Sequence, residues 1–249
     1  MTFRKNVLIT GASSGLGEAM ARKHAALGSN LALCARRTER LLALQEELSR
    51  AHPAIKVAVH HLDVDHHDQV FEVFRQFRRE LGSLDRVIAN AGVGHGKPIG
   101  TGGFEANARI LRTNLVGCLA QTEAAVEIFR EQGAGHLVAI SSVSAVRGLP
   151  HLTAYGASKA GVAMLAEGIR ASLLDTPIKV TTLFPGYIES ELTTTGDEPT
   201  PMMVSTEKGV TAMMKAIEAE QPEATVPAWP WIPMSFLMRH APLRVVAKS

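Results

Sequence analysis

Short apolar segments alternate with longer amphipathic segments along the chain as far as Gly186. The short segments are rich in β-branched residues at consecutive positions, as in strands buried on both faces of a parallel sheet. They cover residues 7–10, 30–35, 55–62, 86–90, 136–141 and 179–184. The 3.6-residue periodicity of the longer segments predicts helices near residues 15–27, 40–51, 68–81, 104–129 and 155–174.

This alternation of strands and helices is typical of an α/β fold, a Rossmann-type doubly wound parallel sheet. No break in the rhythm separates two units, so we predict a single domain. Residues 1–225 would form its body, with the binding sites, and residues 226–249 a C-terminal tail of the same domain. Beyond Gly186 the pattern loosens into a polar stretch (190–201), one helix (206–220) and a short apolar piece (224–226).

Composition excludes several classes of protein. Of the 249 residues, 46% are hydrophobic and 20% charged, which suits a packed core rather than a disordered chain. A net charge of +2 gives no field that would attract nucleic acid. Two cysteines are too few for a disulfide framework or a zinc site, so we expect a protein of the reducing cytoplasm. The N-terminus shows no apolar region followed by a cleavage site, and the chain has no run of 18 apolar residues, so we expect neither a signal peptide nor a membrane span. We predict no metal site, and interpret the histidines as solvent-facing: His60, His61, His66 and His67.

A glycine-rich turn follows the first strand, with the spacing Thr-Gly-x3-Gly-x-Gly from Thr10 to Gly17. Such a turn brings backbone N–H groups and a helix N-terminus close to a pyrophosphate, although a tight strand–helix turn alone would also need glycine. The candidate cofactor contacts in it are Gly11, Ser13, Ser14, Gly15, Leu16 and Gly17.

Cofactor choice depends on the end of the second strand, where an NAD site places a carboxylate. Here the strand runs into Arg36 and Arg37, and guanidinium groups suit the 2′-phosphate of NADP. We therefore predict NADP(H) rather than NAD(H), with Arg36 favoured as the phosphate ligand. The alternative is that both arginines are solvated residues at the start of the next helix. Asp63 and Val64 follow the third strand, where Asp63 would accept from an adenine amino group.

Tyr155 and Lys159 are four residues apart, on one side of a predicted helix. The ordinary pKa of a phenol, near 10, is too high for acid–base work at neutral pH, and a nearby ammonium lowers it. Ser142 ends the fifth strand, and Asn90, Ala91 and Gly92 end the fourth, so all lie at the edge of the sheet where such folds bind ligands. Pro185 and Gly186 end the sixth strand. Asn114 falls inside a long helix, where a buried amide is commonly structural.

Taken in order, these motifs resemble those of the short-chain dehydrogenase/reductase family, from Val7 to about Ser190. The resemblance implies that Tyr155 is the general acid or base, that Lys159 binds the nicotinamide ribose and lowers the pKa of Tyr155, and that Ser142 binds the substrate oxygen. Asn114 would hold a water that links Lys159 to solvent. The remaining implied cofactor contacts are Asn90, Ala91, Gly92, Pro185, Gly186, Ile188 and Ser190, with Asn90 on the adenosine side and Ile188 and Ser190 at the carboxamide.

The resemblance implies an NADP(H)-dependent oxidoreductase that interconverts a carbonyl and a secondary alcohol, working as a homodimer or homotetramer. The alternative is a redox sensor that binds the dinucleotide without turnover. Substrate-site walls are expected at residues 93–104, 143–153 and 187–203, with a mobile lid over 193–203. The methionines in that segment weakly favour an apolar or amphiphilic substrate.

The tail holds both tryptophans and three bases, Arg239, Arg244 and Lys248, with no acid. Three interpretations remain open: it packs on its own domain or a partner subunit, it covers the substrate site, or it makes weak contact with a membrane surface. Its four prolines argue against one long amphipathic helix.

Overall fold

Seven parallel strands form one sheet in the computed structural model, which describes residues 3–94, 96–193 and 202–246. The strand order is β3-β2-β1-β4-β5-β6-β7, so the direction of winding reverses between β1 and β4 and leaves a crevice there. The strands are β1 (Asn6–Thr10), β2 (Asn30–Ala35), β3 (Val57–His61), β4 (Arg86–Ala89), β5 (Gly135–Ile140), β6 (Ile178–Pro185) and β7 (Glu223–Val226).

Helices cover both faces of this sheet, which confirms the predicted doubly wound α/β fold. Buried side chains of α3, α5 and α6 pack on one face, and those of α1, α2 and α7 pack on the other. The helices are α1 (Gly15–Ala26), α2 (Thr38–Ala51), α3 (His67–Leu81), α4 (Phe104–Leu111), α5 (Gly117–Gln132), α6 (Thr153–Ser172), α7 (Thr206–Glu218), α8 (Ala228–His240) and α9 (Leu243–Val246).

Two elements differ from the sequence prediction. The short apolar piece at 224–226 belongs to a seventh strand, β7, which pairs in parallel with the end of β6. The single helix predicted over 104–129 is α4 and α5 joined by a π-helical turn, Arg112–Val116. Such a turn inserts an extra residue into the helical ladder, and here it carries the buried Asn114.

The tail forms two helices, α8 and α9, rather than one long amphipathic helix. Trp229 has an extended backbone that breaks α8, so Pro230 is the first residue of the helix that follows and Pro233 lies inside that helix. A proline is tolerated at the first position, because the first N–H groups of a helix have no intrahelical partner. Lys248 of the tail and residues 194–201 of the predicted lid lie outside the described ranges.

A buried charged cluster joins the amino ends of the central strands to α7. Arg86, at the start of β4, is fully buried. Its Nε donates to His136 Nδ1 at 2.9 Å, and its other nitrogens reach the Glu218 carboxylate and the Ile217 carbonyl. Burial and the positive charge of Arg86 lower the pKa of His136 well below its usual value, so His136 stays neutral and accepts this hydrogen bond.

We predict that Arg86→Ala lowers the free energy of unfolding by about 3–5 kcal/mol, because it leaves Glu218 and His136 without their buried partner. Arg75→Ala is the matched control, since Arg75 pairs with Glu127 at 3.2 Å on the surface, and its loss should cost less than about 1 kcal/mol. Urea denaturation of both variants measures the difference. Similar losses for the two would show that the buried cluster contributes no more than a surface pair.

Candidate active site

A cleft of about 400 Å³ opens at the carboxyl ends of the strands, across the reversal between β1 and β4. All but two of the predicted site residues line it, the exceptions being Gly17 and Asn114. The predicted residues that do line it are Gly11, Ser13, Ser14, Gly15, Leu16, Arg36, Arg37, Asp63, Val64, Asn90, Ala91, Gly92, Ser142, Tyr155, Lys159, Pro185, Gly186, Ile188 and Ser190.

The glycine-rich turn is shaped by close backbone approaches. Gly11 and Gly15 have φ angles of +63° and +56°, which favour glycine. A Cβ on Gly17 would lie 2.4 Å from the Gly11 carbonyl oxygen, so Gly17 lets α1 pack tightly against the turn although it does not face the cleft. The side chain of Ser14, the N-cap of α1, makes no capping hydrogen bond. The turn therefore presents a helix N-terminus to the cleft, as an anion-binding site requires.

Thr10 and Asn90 tie this turn to β4. The Thr10 hydroxyl accepts hydrogen bonds from the N–H groups of Asn90 and Ala91, both at 3.0 Å, and donates to Gln121 Oε1 at 2.7 Å. The Asn90 amide in turn donates to the Thr10 carbonyl at 2.9 Å. The side chain of Asn90 therefore fixes the turn, and its predicted role on the adenosine side stays a prediction.

Asn114 lies behind the cleft wall, where it holds the chain that follows β4. Its Oδ1 accepts from the Val93 N–H at 2.8 Å, and its Nδ2 donates to the Val93 carbonyl at 2.9 Å and to Ser158 Oγ at 3.1 Å. A Cβ on Gly92 would lie 3.1 Å from Asn114 Oδ1 and 3.7 Å from Lys159 Nζ, so the absence of a side chain there brings these groups together. Both amide protons of Asn114 are used within the protein, so a water at this residue would donate to an oxygen of Asn114. The predicted contact with water stays a prediction.

Tyr155, Lys159 and Ser142 meet at the inner end of the cleft. Lys159 is 6% exposed, and its Nζ donates to the Ile140 carbonyl at 2.9 Å and lies 5.8 Å from the centre of the Tyr155 ring. Burial raises the pKa of Tyr155, and a hydrogen bond with Ser142 opposes that rise only in part. From the sequence, the Lys159 ammonium is expected to lower the pKa of Tyr155, whereas burial raises it in this structure. Burial also lowers the pKa of Lys159 to about 8.

The outer end of the cleft gathers positive charge. Arg37 Nη2 donates to Ser14 Oγ at 2.5 Å and its Nε to Ser13 Oγ at 3.3 Å. Arg37 also donates to the carboxylate of Glu191, a residue that lines the same cleft. Arg36 lines the cleft but is exposed, so the contacts with the turn favour Arg37 as the anion ligand, where the sequence argument had favoured Arg36.

These features fit a dinucleotide phosphate. The turn offers backbone close to a helix N-terminus, and the arginine side already holds an anionic carboxylate. Asp63 lines the cleft between the two ends, with Oδ1 accepting from the Asp65 N–H at 3.2 Å.

Histidine and acidic side chains form no metal-binding group among the described residues. Within the described ranges, no cluster of three or more histidine, cysteine, aspartate or glutamate side chains has a suitable arrangement. His60 lies 2.8 Å from Glu80, which accounts for one of the four clustered histidines. In the same ranges, no helix combines the length and hydrophobicity that crossing a bilayer requires.

The tail packs on its own domain beside the cleft. The Trp231 ring is 3% exposed and lies so close to Gly186 that a Cβ there would be 2.1 Å from Trp231 Nε1. The same ring meets Tyr187 edge-on, with centroids 5.1 Å apart. Arg147 donates to the carbonyls of Arg239 and Ala241, both at 3.4 Å, and so caps the end of α8.

Comparison with known proteins agrees with this geometry. The family model described as short chain dehydrogenase matches residues 5–200. The chain belongs to the short-chain dehydrogenase/reductase family. It is 51% identical over 246 residues to an uncharacterized oxidoreductase of Mycobacterium tuberculosis, covering 98% of this chain and 97% of that protein.

Solved short-chain dehydrogenase/reductase structures share the fold. An alcohol dehydrogenase from Thermococcus sibiricus, complexed with 5-hydroxy-NADP, has a TM-score of 0.80 and 26% identity over 89% of this chain and 95% of that one. A family member from Burkholderia phymatum, in complex with NAD, has a TM-score of 0.85 and 22% identity over 99% of this chain and 97% of that one. The second likeness concerns the fold alone.

Several residues of this short-chain dehydrogenase/reductase site were missed by the sequence argument. Gln121 is buried under Thr10, and Arg40 and Glu191 complete the charged outer end. Trp231 covers Gly186 from a segment that lies beyond every matched motif. No sequence pattern identified these contacts, since each joins positions that are far apart along the chain or lie outside the recognisable motifs.

We predict that Lys159→Met stabilises the protein at pH 7, because burial disfavours the Lys159 charge. The pKa of Lys159 falls from 10.5 to about 8, so the unfolded state binds a proton more tightly between these values. The cost is therefore present in full below pH 8 and disappears as the pH rises towards 10.5. The expected gain in the free energy of unfolding is about 2–3 kcal/mol at pH 7, reduced by the lost hydrogen bond to Ile140.

Urea denaturation at pH 7 and pH 10 measures this gain, with the exposed Lys179→Met as the control variant. The gain should shrink at pH 10 for Lys159→Met and be absent for the control at both values. A Lys159→Met protein that is less stable than wild type at pH 7 would contradict the argument.

Proposed function

We propose that this protein is an NADP(H)-dependent oxidoreductase that interconverts a carbonyl compound and a secondary alcohol, with Tyr155 as general acid or base. The observation that carries the proposal is that one cleft holds Tyr155, Ser142 and Lys159 at its inner end and an arginine-lined anion site at its outer end. Bound NADPH would supply the hydride for reduction, and NADP+ would accept it in the reverse direction.

The chain's own groups would position the substrate and move the proton. Ser142 and Tyr155 line the same cleft, and the Ser142 hydroxyl is close enough to lower the pKa of Tyr155, so both hydroxyls can meet one substrate oxygen. Because burial raises the pKa of Tyr155, its phenol is protonated at neutral pH and can donate to the oxygen of a carbonyl as it is reduced. Lys159, held by the Ile140 carbonyl close to Gly92, would meet the ribose hydroxyls and favour the phenolate that remains.

NADP(H) is proposed over NAD(H) because β2 ends in arginines rather than a carboxylate, and Arg37 turns towards the glycine-rich turn. The Thermococcus sibiricus relative was solved with an NADP derivative and the Burkholderia phymatum relative with NAD, so both cofactors occur on this fold. The redox-sensor alternative is less favoured, since a sensor does not need the proton donor that Tyr155 and Ser142 supply.

An apolar or amphiphilic carbonyl compound is the proposed substrate. Val93, Ile188 and Leu192 add apolar surface to the cleft next to the polar groups. Apolar walls with few, well-placed polar groups are typical of sites for such small molecules.

We predict that Tyr155→Phe lowers the rate of carbonyl reduction about 10²- to 10⁴-fold and leaves NADPH binding nearly unchanged, because only the proton donor is lost. NADPH and NADH consumption over a panel of aldehydes and ketones measures the rate. Tyr187→Phe is the matched control, since it removes the chain's other phenol hydroxyl, and should keep most of the rate. Binding of NADPH without consumption by wild type would support the sensor, and equal use of NADH would contradict the cofactor proposal.

We also propose a cytoplasmic homo-oligomer whose tail makes weak contact with anionic membranes. Exposed apolar side chains on α4, α5 and α6, among them Phe104 and Met164, provide a face for subunit pairing.

The tail exposes a second apolar face, flanked by Arg239 and Arg244 and without an acid. Its exposed apolar residues are Trp229, Ile232, Phe236, Leu237, Leu243 and Val245. Pairing two such basic faces would bring like charges together, whereas an anionic lipid surface complements them.

We predict that wild type sediments with phosphatidylserine vesicles at low salt more than with neutral ones, since bases and apolar side chains act together. The double variant Phe236→Ser, Leu237→Ser should lose most of this binding, because both side chains are exposed on α8. Phe104→Ser, on the other apolar face, is the control and should keep it. If wild type stays in the supernatant with both kinds of vesicle, the membrane proposal is wrong.

A further inference from the structure

Two arginines converge on one carboxylate at the outer end of the cleft. Glu191 Oε2 accepts from Arg37 Nη1 at 2.9 Å, and Oε1 accepts from Arg40 Nη1 at 2.5 Å. Arg37 also donates to the hydroxyls of Ser13 and Ser14 in the glycine-rich turn. The result is an anion site built from two guanidinium groups, one of them held against the glycine-rich turn by two hydroxyls, with the Glu191 carboxylate as its anion.

Phosphate monoesters use the same donors. Guanidinium groups bind the oxygens of phosphate and carboxylate in the same paired geometry, and hydroxyls complete either site. The two arginines lower the pKa of Glu191 to about 2, so its carboxylate stays charged throughout the physiological range. A phosphate that enters this site must therefore displace a negative charge already there.

We propose that Glu191 is an internal competitor for the site of the cofactor's 2′-phosphate and so limits the selectivity of the protein for NADPH over NADH. The inference rests on the proposed function, since it concerns the same cofactor. Glu191 directly follows Ser190, so the competing group is supplied by the chain beyond β6 and comes from across the cleft. Arg40, in the first turn of α2, becomes a second ligand of the phosphate in this scheme.

The contact is weak enough to be displaced. Glu191 and Arg40 are about half exposed in their side chains, and Arg37 is only slightly less so. Exposed ion pairs are screened by water and salt and contribute little to stability. A phosphate dianion carries more charge and a third oxygen, so it can replace the carboxylate on the same donors.

A ribose-binding role for Glu191 is the competing explanation. A carboxylate at this place in an NAD site accepts a hydrogen bond from the ribose 2′-hydroxyl. In this structure, however, both Glu191 oxygens are engaged by arginines, one by Arg37 and one by Arg40. That arrangement favours competition with an anion over acceptance from a hydroxyl.

Binding measurements on Glu191→Gln test the inference without turnover. Calorimetric titrations with NADPH and NADH, and with 2′,5′-ADP and 5′-AMP as fragments with and without the phosphate, give the dissociation constants. We expect the variant to bind NADPH and 2′,5′-ADP about two- to fivefold more tightly, as the loss of an exposed ion pair allows. Its affinity for NADH and 5′-AMP should stay within the error of the control.

Glu189→Gln is the matched control, because it removes the same charge from an exposed residue two positions away. An equal gain in both variants would reduce the effect to net charge and overturn the inference. Weaker NADH binding by Glu191→Gln would overturn it in favour of the ribose role. If wild type prefers NADPH and Glu191→Gln changes nothing, only this inference fails. If wild type does not distinguish 2′,5′-ADP from 5′-AMP, the inference and the proposed cofactor both fail.

Arg40→Gln extends the test to the second arginine. In the single variant Glu191→Gln, the Arg40 guanidinium is free to bind the phosphate. The double variant, which lacks that guanidinium, should therefore bind NADPH more weakly than Glu191→Gln alone. Unchanged NADPH affinity in the double variant would show that Arg40 only holds Glu191, which would overturn its role as a ligand.

Discussion

The hydrogen bonds between Thr10 and the end of β4 hold the site in place. One hydroxyl accepts from two successive backbone N–H groups, and the Asn90 amide returns a hydrogen bond to the backbone of the turn. These contacts lie where the winding of the sheet reverses, so the helices on either side turn to opposite faces and leave the cleft open. Because Thr10 also donates to Gln121 of α5, the turn, the strand and the helix are fixed relative to one another.

Further hydrogen bonds connect the end of β4 to the helix that carries Tyr155 and Lys159. The chain that leaves β4 is held at Val93 by Asn114, whose position depends on the π-helical turn between α4 and α5. Asn114 also donates to Ser158, and Ser158 donates to the Tyr155 carbonyl at 2.7 Å. These hydrogen bonds fix the position of α6 relative to the end of β4. A π-helical turn interrupts a regular helix, and such interruptions are frequent at functional sites. This one lies beside the candidate site.

Most of the fold follows from the sequence, because buried parallel strands leave a strong local signal. Six strands and most of the helices between them were predicted close to their observed bounds, the exception being the helix over 104–129, which is α4 and α5 with a π-helical turn between them. β7 was missed because it is a short edge strand, Glu223–Val226, with little apolar pattern. The glycine and tyrosine–lysine motifs were recognisable since their members are close in sequence and their spacing reflects local geometry.

Contacts that depend on distant parts of the chain were not predictable in this way. The contact between Arg37 and Glu191 joins residues 154 positions apart, and nothing local to either residue indicates it. The shift in the pKa of Tyr155 was predicted in the wrong direction, for a related reason. Helical spacing shows that Lys159 is near, but only the folded protein shows how much burial opposes both charges.

The two ends of the cleft therefore differ in how far their positive charges are buried. At the inner end, Lys159 is buried, so its charge is expensive and every group that meets it is bound strongly in a low-dielectric setting. At the outer end, Arg37 and Arg40 are partly exposed, so their charges cost little desolvation and are screened by water and salt. Both already pair with Glu191. A dinucleotide that spans both ends would gain its positioning from the inner contact and its discrimination from the outer one. Selectivity between cofactors could then change through exposed residues, without disturbing the buried groups of the proposed chemistry.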